Sequence, residues 1–392
     1  MTLQAVVYQH LFNIILITLL FYGIVPVAGA FFARNRWRRF RTSLMQASLR
    51  PSLSYKAVHG IDNTGLYRFF GSLQAIQDDN ILWIANSDVS VSLDLEGLPI
   101  YILPSVNKED SSLKSNIYPD ESPKRTYWNS LFSLPEKTSI FVTGELISEG
   151  GRSKFKNSKE NPLLIIIYDC EKSDFYSHAI LSGRQRNEYW NVLTPGTLTA
   201  GSFSLFIYFY LLIQMPYMNF VAVAALSFSL VPVMPFIPPG LLFYYIYRHL
   251  WTKARILRAE RDLLKLPLNF FNEQGGISDF KSVILPGGSR YQCFIKNNKD
   301  KAFSLFDNIV LRTSSLKRAQ DSREEYFVFG LENNKRNDPM AETLVIPGNP
   351  YLLTQASTKT AQKYELIAVI SFALGFVMNL LIFITTITIF LL

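Results

Sequence analysis

The stretch Tyr364–Leu392 is an unbroken apolar run in which only Glu365 carries a charge. A helix needs roughly 20 apolar residues to cross a bilayer, and this run exceeds that length. A water-soluble fold has nowhere to bury such a segment, so the rest of the chain must be read against it. Comparable runs occupy 11–33 and most of 197–247, whereas 50–187 and 248–363 have the mixed composition of water-soluble sequence. The expected class is membrane α + β. About four transmembrane helices (11–33, 197–215, 219–247 and 364–392) would carry two small β-rich, barrel-like domains, the second of them opening on a basic helix.

Charge orients the spans. Arg34, Arg36, Arg38, Arg39 and Arg41 follow the first run, and Arg248, Lys253, Arg255, Arg258 and Arg261 follow the third. Positive flanks are retained in the cytoplasm. Both soluble domains are therefore expected inside, with the two ends of the chain outside, in a cytoplasmic-type membrane such as a bacterial inner membrane. Lys359 and Lys363 ahead of the last run agree. Val27-Ala28-Gly29-Ala30 resembles a signal cleavage site, but the basic segment that should precede it is missing, which favours a retained span. The net charge of +8 is accounted for by anionic lipid headgroups. No nucleic acid is expected as a partner, because no reading module accompanies the charge.

The two basic flanks share a pattern. Arg34-Asn-Arg-Trp37-Arg-Arg39-Phe-Arg41 and Arg248-His-Leu-Trp251-Thr-Lys253-Ala-Arg255 both read Arg-x-x-Trp-x-basic-x-Arg. Tryptophan at the headgroup level with cations beside it is an interfacial anchor. Arg184, Arg186, Tyr189 and Trp190, just before the second span, offer the same chemistry. Each flank then leads into a soluble segment and another span, so the chain parses as a duplicated unit of span, β domain, span.

Pro232, Pro235, Pro238 and Pro239 must break the third span, since each proline removes a backbone donor. One reading is a discontinuous helix lining a solute or ion path, as in transporters. The other is a kink packed against neighbouring helices. Between Pro195 and Tyr247 there is no Asp, Glu, Lys, Arg or His to couple transport, which favours packing.

Within the first soluble segment, Val89-Ser-Val91-Ser-Leu93-Asp-Leu95 alternates with period two, as a strand with one buried face does. Further strands are expected at 66–72, 81–103, 139–147 and 163–168, with a turn at Glu149-Gly-Gly151 and a surface loop over 108–125. In the second, a helix over 247–265 should end at Pro267. Strand-like pieces follow at 291–295, 303–311, 326–331 and 343–346.

One order of elements resembles a known family. Thr138–Leu146, containing Phe141-Val-Thr-Gly144-Glu145-Leu146, leads through a hairpin and an apolar strand to the polar leader Asp169–Ser177 and then a span. This is similar to the GIDE module of membrane-anchored mitochondrial and plastid ubiquitin ligases and its prokaryotic relatives. Phe327-Val-Phe-Gly330, Leu344–Ile346, Pro350–Thr354 and Ser357–Glu365 echo it. The resemblance implies a protein-binding or sensing β module held beside a bilayer. It does not extend to ligase activity, because the zinc-binding RING of closely spaced Cys and His is missing.

Catalytic signatures are also missing: there is no Gly-x-Ser-x-Gly, phosphate-binding glycine loop or His-Glu-x-x-His. Cys170 and Cys293 lie in different segments, and His10, His59, His178 and His249 are scattered, so neither metal nor cofactor is expected. Glu260-Arg261-Asp262 and Asp338–Glu342 read as solvated charge. The expected role is non-enzymatic: two GIDE-like β domains displayed for an unknown protein partner, as a scaffold or an envelope-stress sensor. A transporter or channel component built on the proline-broken span and a membrane-bound hydrolase are the alternatives.

Overall fold

The computed structural model describes residues 3–391 apart from 56–57, 59–64, 78–79, 106–120, 131–133, 150–151, 159, 186–189, 216, 272–281, 285–289, 298–308, 311–324 and 332–343. Several expected features lie outside the described residues: His59, Arg186, Tyr189, the loop as far as 120, the strand-like 303–308 and Asp338–Glu342. The chain divides into two compact units, Met1–Arg38 with Asn187–Arg255 and Thr360–Leu392, and Arg39–Arg186 with Ile256–Lys359.

The first unit is helical. Leu3–Thr18 (α1), a π-helical turn at Leu19–Ile24 and Val25–Leu49 (α2) run on without a break. Leu193–Ile213 (α4) and Asn219–Ser229 (α5) follow the sheet-bearing segment that holds Phe175–Gln185 (α3). Gly240–Leu268 (α6) and Pro350–Leu391 (α7) complete the set. Three stretches, Gln4–Ser48, Leu193–Ile213 and Pro350–Ile389, are long and apolar enough to cross a membrane. α1, α4 and α5 share an apolar seam, with Ile14, Leu205, Leu212, Val221 and Ala225 buried together. Where α4 meets the π turn, a Cβ on Gly201 would fall 2.7 Å from Phe21 Cβ, so only glycine permits the approach. Tyr22 and Ser202 then hydrogen bond at 3.0 Å.

The expected third span is not one helix. At about 1.5 Å per residue, the 11 residues of α5 fall well short of a bilayer. A turn through 230–239 follows, with a 3₁₀ turn at Met234–Phe236, before α6 begins. The prolines cannot donate to the preceding turn, and their rings obstruct it. Pro267, expected to end α6, sits in its last turn instead.

The second unit carries both sheets. Gly65–Gln77 (β1), Ile81–Ala85 (β2), Ser90–Asp94 (β3), Pro99–Ile102 (β4), Lys124–Tyr127 (β5), Ser139–Glu149 (β6), Arg152–Lys156 (β7) and Leu164–Tyr168 (β8) form one eight-stranded sheet. Its order is β1-β2-β3-β7-β6-β8-β4-β5, and an added β1–β6 pairing closes the first five strands into a barrel-like ring. Alternation explains the filling. Ile140, Val142, Val91, Leu93 and Phe155 point into the ring and are buried there, while Phe141 points the other way. Phe70, Phe141, Tyr168, Phe175 and Tyr176 make an aromatic layer on that outer side, joining the sheet to α3.

Ser282–Ile284 (β9), Arg290–Asn297 (β10), Ile309–Val310 (β11), Glu325–Leu331 (β12) and Leu344–Pro347 (β13) form the second sheet, ordered β11-β13-β12-β10-β9. Among the described residues it is open rather than barrel-like. Its central arrangement nonetheless follows the first. β6 lies between antiparallel β1 and β8, with β4 parallel to β8 beyond; β12 lies between antiparallel β10 and β13, with β11 parallel to β13 beyond. The registers correspond residue for residue. Phe141 faces Phe70 and Ile166 as Phe327 faces Ile295 and Ile346. Thr143 faces Arg68 and Leu164 as Phe329 faces Cys293 and Leu344. The flanking strands differ in origin, since β2 follows β1 in the chain whereas β9 precedes β10.

Candidate functional site

On the outer side of the first sheet, beside the aromatic layer, the surface turns polar. Thr143 is buried, and its hydroxyl donates to Tyr67 O at 3.1 Å. Arg50 lies immediately past the C-terminus of α2, a position where the helix dipole favours a cation. Its Nη1 donates to Thr143 Oγ1 at 2.8 Å. The neighbouring Arg68 is almost fully buried and donates through Nη1 to Ser48 O at 3.1 Å and to the Tyr176 hydroxyl at 3.3 Å.

Arg50 and Thr143 belong to the wall of a cavity of about 320 Å³. Ser43 and Gln46, one helical turn apart on α2, supply a hydroxyl and an amide; Glu160 and Asn161 face them from the β7–β8 connection. Leu66 and Leu164 add apolar wall. The volume lies at the small end of the range for ligand pockets. Burial pushes the Arg50 guanidinium down from its ordinary value. Among the described residues, Arg50 and Glu160 form no ion pair with each other.

The same position in the second sheet is filled differently. Phe329 stands where Thr143 stands, and Phe271, just past the end of α6, packs against it with ring centroids 6.0 Å apart. Phe270 stacks on Tyr291 at 4.1 Å beside them. Among the described residues, one register position thus holds an Arg–Thr pair beside a cavity in one sheet and packed aromatic rings in the other.

A second polar cluster joins α3 to α6. Asp262, with its side chain 6 % exposed, takes Arg184 on Oδ2 (Nε at 2.9 Å) and Arg261 on Oδ1 (Nη2 at 2.6 Å). Burial alone would raise its carboxyl, but the two guanidiniums outweigh that and hold it below the usual carboxylate value. Glu260 is buried as well. The expectation of solvated charge at Glu260-Arg261-Asp262 is therefore corrected: Arg184, remote in sequence, provides the charge that lets the carboxylate leave water.

The expected interface anchors fall into distinct settings. Arg34, Arg39, Arg248, Lys253 and Trp190 are exposed. Arg41 is half-buried and reaches Gly183 O at 3.5 Å. Trp37 is only 4 % exposed, its ring spent on protein contacts. Trp251 is half-buried, stacked on Tyr247 with the Arg255 guanidinium 5.6 Å from its ring centroid. His178 is buried, and His10 lies 2.6 Å from the Tyr208 hydroxyl.

At the proline break, Asn379 of α7 is 1 % exposed and donates through Nδ2 to Met234 O at 2.5 Å and Ile237 O at 2.9 Å. Met234 O is the carbonyl that a donor at Pro238 would have served in an unbroken helix. Met234 O takes Ile237 N at 3.2 Å and Ile237 O takes Leu241 N at 3.1 Å instead, and the Asn379 side chain from another helix adds a second donor to each. A Cβ on Gly240 would collide with that amide and stand 2.7 Å from Met234 O.

Sequence reasoning passed over Arg50 and Thr143. A usable signal was present: aligning the two Phe-Val-x-Gly segments puts a hydroxyl against a phenyl ring at a position flanked by strands on both sides. No protein-family model, no curated protein and no solved structure matches the chain.

Proposed function

We propose that this is a multi-pass protein of a cytoplasmic-type membrane, without enzymatic activity, that holds two related β modules in the cytosol for protein interaction or scaffolding. The shared central strand order carries the reading, with Phe141–Gly144 and Phe327–Gly330 in equivalent registers. Each sheet is entered from a helix that begins in an apolar run, α2 or α6. Duplication of a span–sheet–span unit accounts for both facts. Four crossings follow, the third made of α5, 230–239 and the first turns of α6. The basic flanks then put both modules on the inner side. The GIDE-type resemblance fits this reading, because its short motifs lie on the strands that correspond. A solute path through the broken span is disfavoured, since Asn379 occupies the carbonyls a coordinating site would use.

Cysteine scanning tests the topology. Glu96 is exposed in the first module and Gln214 is exposed at the α4–α5 turn. In intact cells a membrane-impermeant maleimide should label Gln214→Cys and spare Glu96→Cys; the reverse overturns the arrangement. In-cell cross-linking of the full-length protein tests the role. A partner joined through residues of the two sheets supports it, whereas solute flux in liposomes with no such partner refutes it.

A further inference from the structure

Among the described residues, the register position that holds the Arg50–Thr143 pair in the first sheet holds packed aromatic rings in the second. Where the first sheet has Thr143 under Arg50, the second has Phe329 under Phe271, and the corresponding strands keep the same register. The shared register alone therefore does not call for the polar pair. Half-burying a guanidinium costs solvation that a single neutral hydroxyl repays only in part. The arrangement is one that a ligand would complete.

We propose that the cavity bounded by Arg50, Thr143, Ser43, Gln46, Glu160 and Asn161 binds a small carboxylate that also carries a hydrogen-bond donor, of the free amino-acid or hydroxy-acid class. Arginine presents paired N–H donors whose spacing matches a carboxylate, and Thr143 fixes the direction of one of them. Glu160, which lines the same cavity from the β7–β8 connection, accepts only, so it attracts an ammonium or hydroxyl and repels a dianion such as phosphate. Ser43, Gln46 and Asn161 supply neutral donors and acceptors between the two charges, and Leu66 and Leu164 leave room for a short apolar substituent. One cation and one anion lining the same cavity match a zwitterion in charge as well as in size. Such a site would make the first module a ligand sensor and leave the second to packing. It is independent of partner binding, and either reading can fail without the other.

The test uses the full-length protein in lipid nanodiscs, titrated calorimetrically with the twenty free amino acids, lactate, acetate and inorganic phosphate. Saturable binding of at least one amino acid or of lactate, tighter than acetate and phosphate by tenfold or more, is expected. Arg50→Met should abolish it. Glu160→Gln, an exposed change that leaves the fold intact, should weaken the amino acid at least fivefold while leaving acetate unaffected. Leu66→Trp at the rim should block entry with Arg50 still present. No saturable binding across the panel, preference for phosphate, or affinity unchanged in Glu160→Gln and Leu66→Trp would overturn the assignment.

Discussion

Replacing Asp262 by asparagine keeps the side-chain shape and removes the negative charge on which Arg184 and Arg261 converge. Both carboxylate oxygens are engaged and the side chain is 6 % exposed, so the arginines would be left partly buried around a neutral amide. Breaking a buried pair on one side costs about 3–5 kcal/mol. For a domain of 150–250 residues, about 2–4 °C per kcal/mol makes that a fall of roughly 6–20 °C in midpoint. The assay is thermal unfolding of the purified protein in detergent, followed by tryptophan fluorescence, for Asp262→Asn, Arg184→Met and the double variant. Because Arg184 and Asp262 touch, the double variant should lose much less than the two single losses together. The pH dependence has a definite sign. A carboxyl held below its unfolded value stabilises the fold above about pH 3.8 and ceases to do so as pH falls through the lower folded value. Wild-type protein should therefore shed stability below about pH 4, and Asp262→Asn should lack that component. Additive losses, or an unchanged acid profile, would refute the claim that this cluster joins α3 to α6.

Two further outcomes follow from buried groups. Asn379→Leu removes the amide's hydrogen bonds to Met234 O and Ile237 O, each of which keeps one backbone donor, and should cost about 1–3 kcal/mol in the same unfolding assay, with Gly240→Ala destabilising by crowding that amide from the opposite side. Burial pushes the thiols of Cys170 and Cys293 up to about 12, so at pH 8 a thiol reagent should label the native protein slowly and the denatured protein at once; rapid native labelling would contradict the burial of Cys293.

How far the sequence could be read depended on the range of the interactions involved. The alternation Val89, Val91, Leu93, Leu95 announced a strand with one buried face, and all four side chains are buried. Period-two patterning is local, so it survives without knowledge of neighbours. Ring closure does not: Gly65 pairs with Leu146, and nothing in either segment names the other. The same holds for Asp262, which looks solvated beside Glu260 and Arg261 until Arg184 arrives from 78 positions away. The proline break was legible because proline chemistry is intrinsic, but its remedy was not, since Asn379 looks like an isolated polar residue in an apolar run. Trp37 and Trp251 share a local pattern and differ in exposure, which is set by what packs on them. The Arg50 cavity is an emptiness between elements, and a string of letters records only what is present.

The Asn379 clamp also has a bearing on how the protein is made. The carbonyls it holds were synthesised 145 and 142 residues earlier. On the proposed four-span reading, the proline segment enters the bilayer while the ribosome is still producing the second sheet, with two carbonyls each lacking the second donor that Asn379 supplies. That region cannot reach its final form until the closing helix is inserted, so a nascent chain stalled before Asn379 should present quality-control proteases with a visibly unfinished membrane segment.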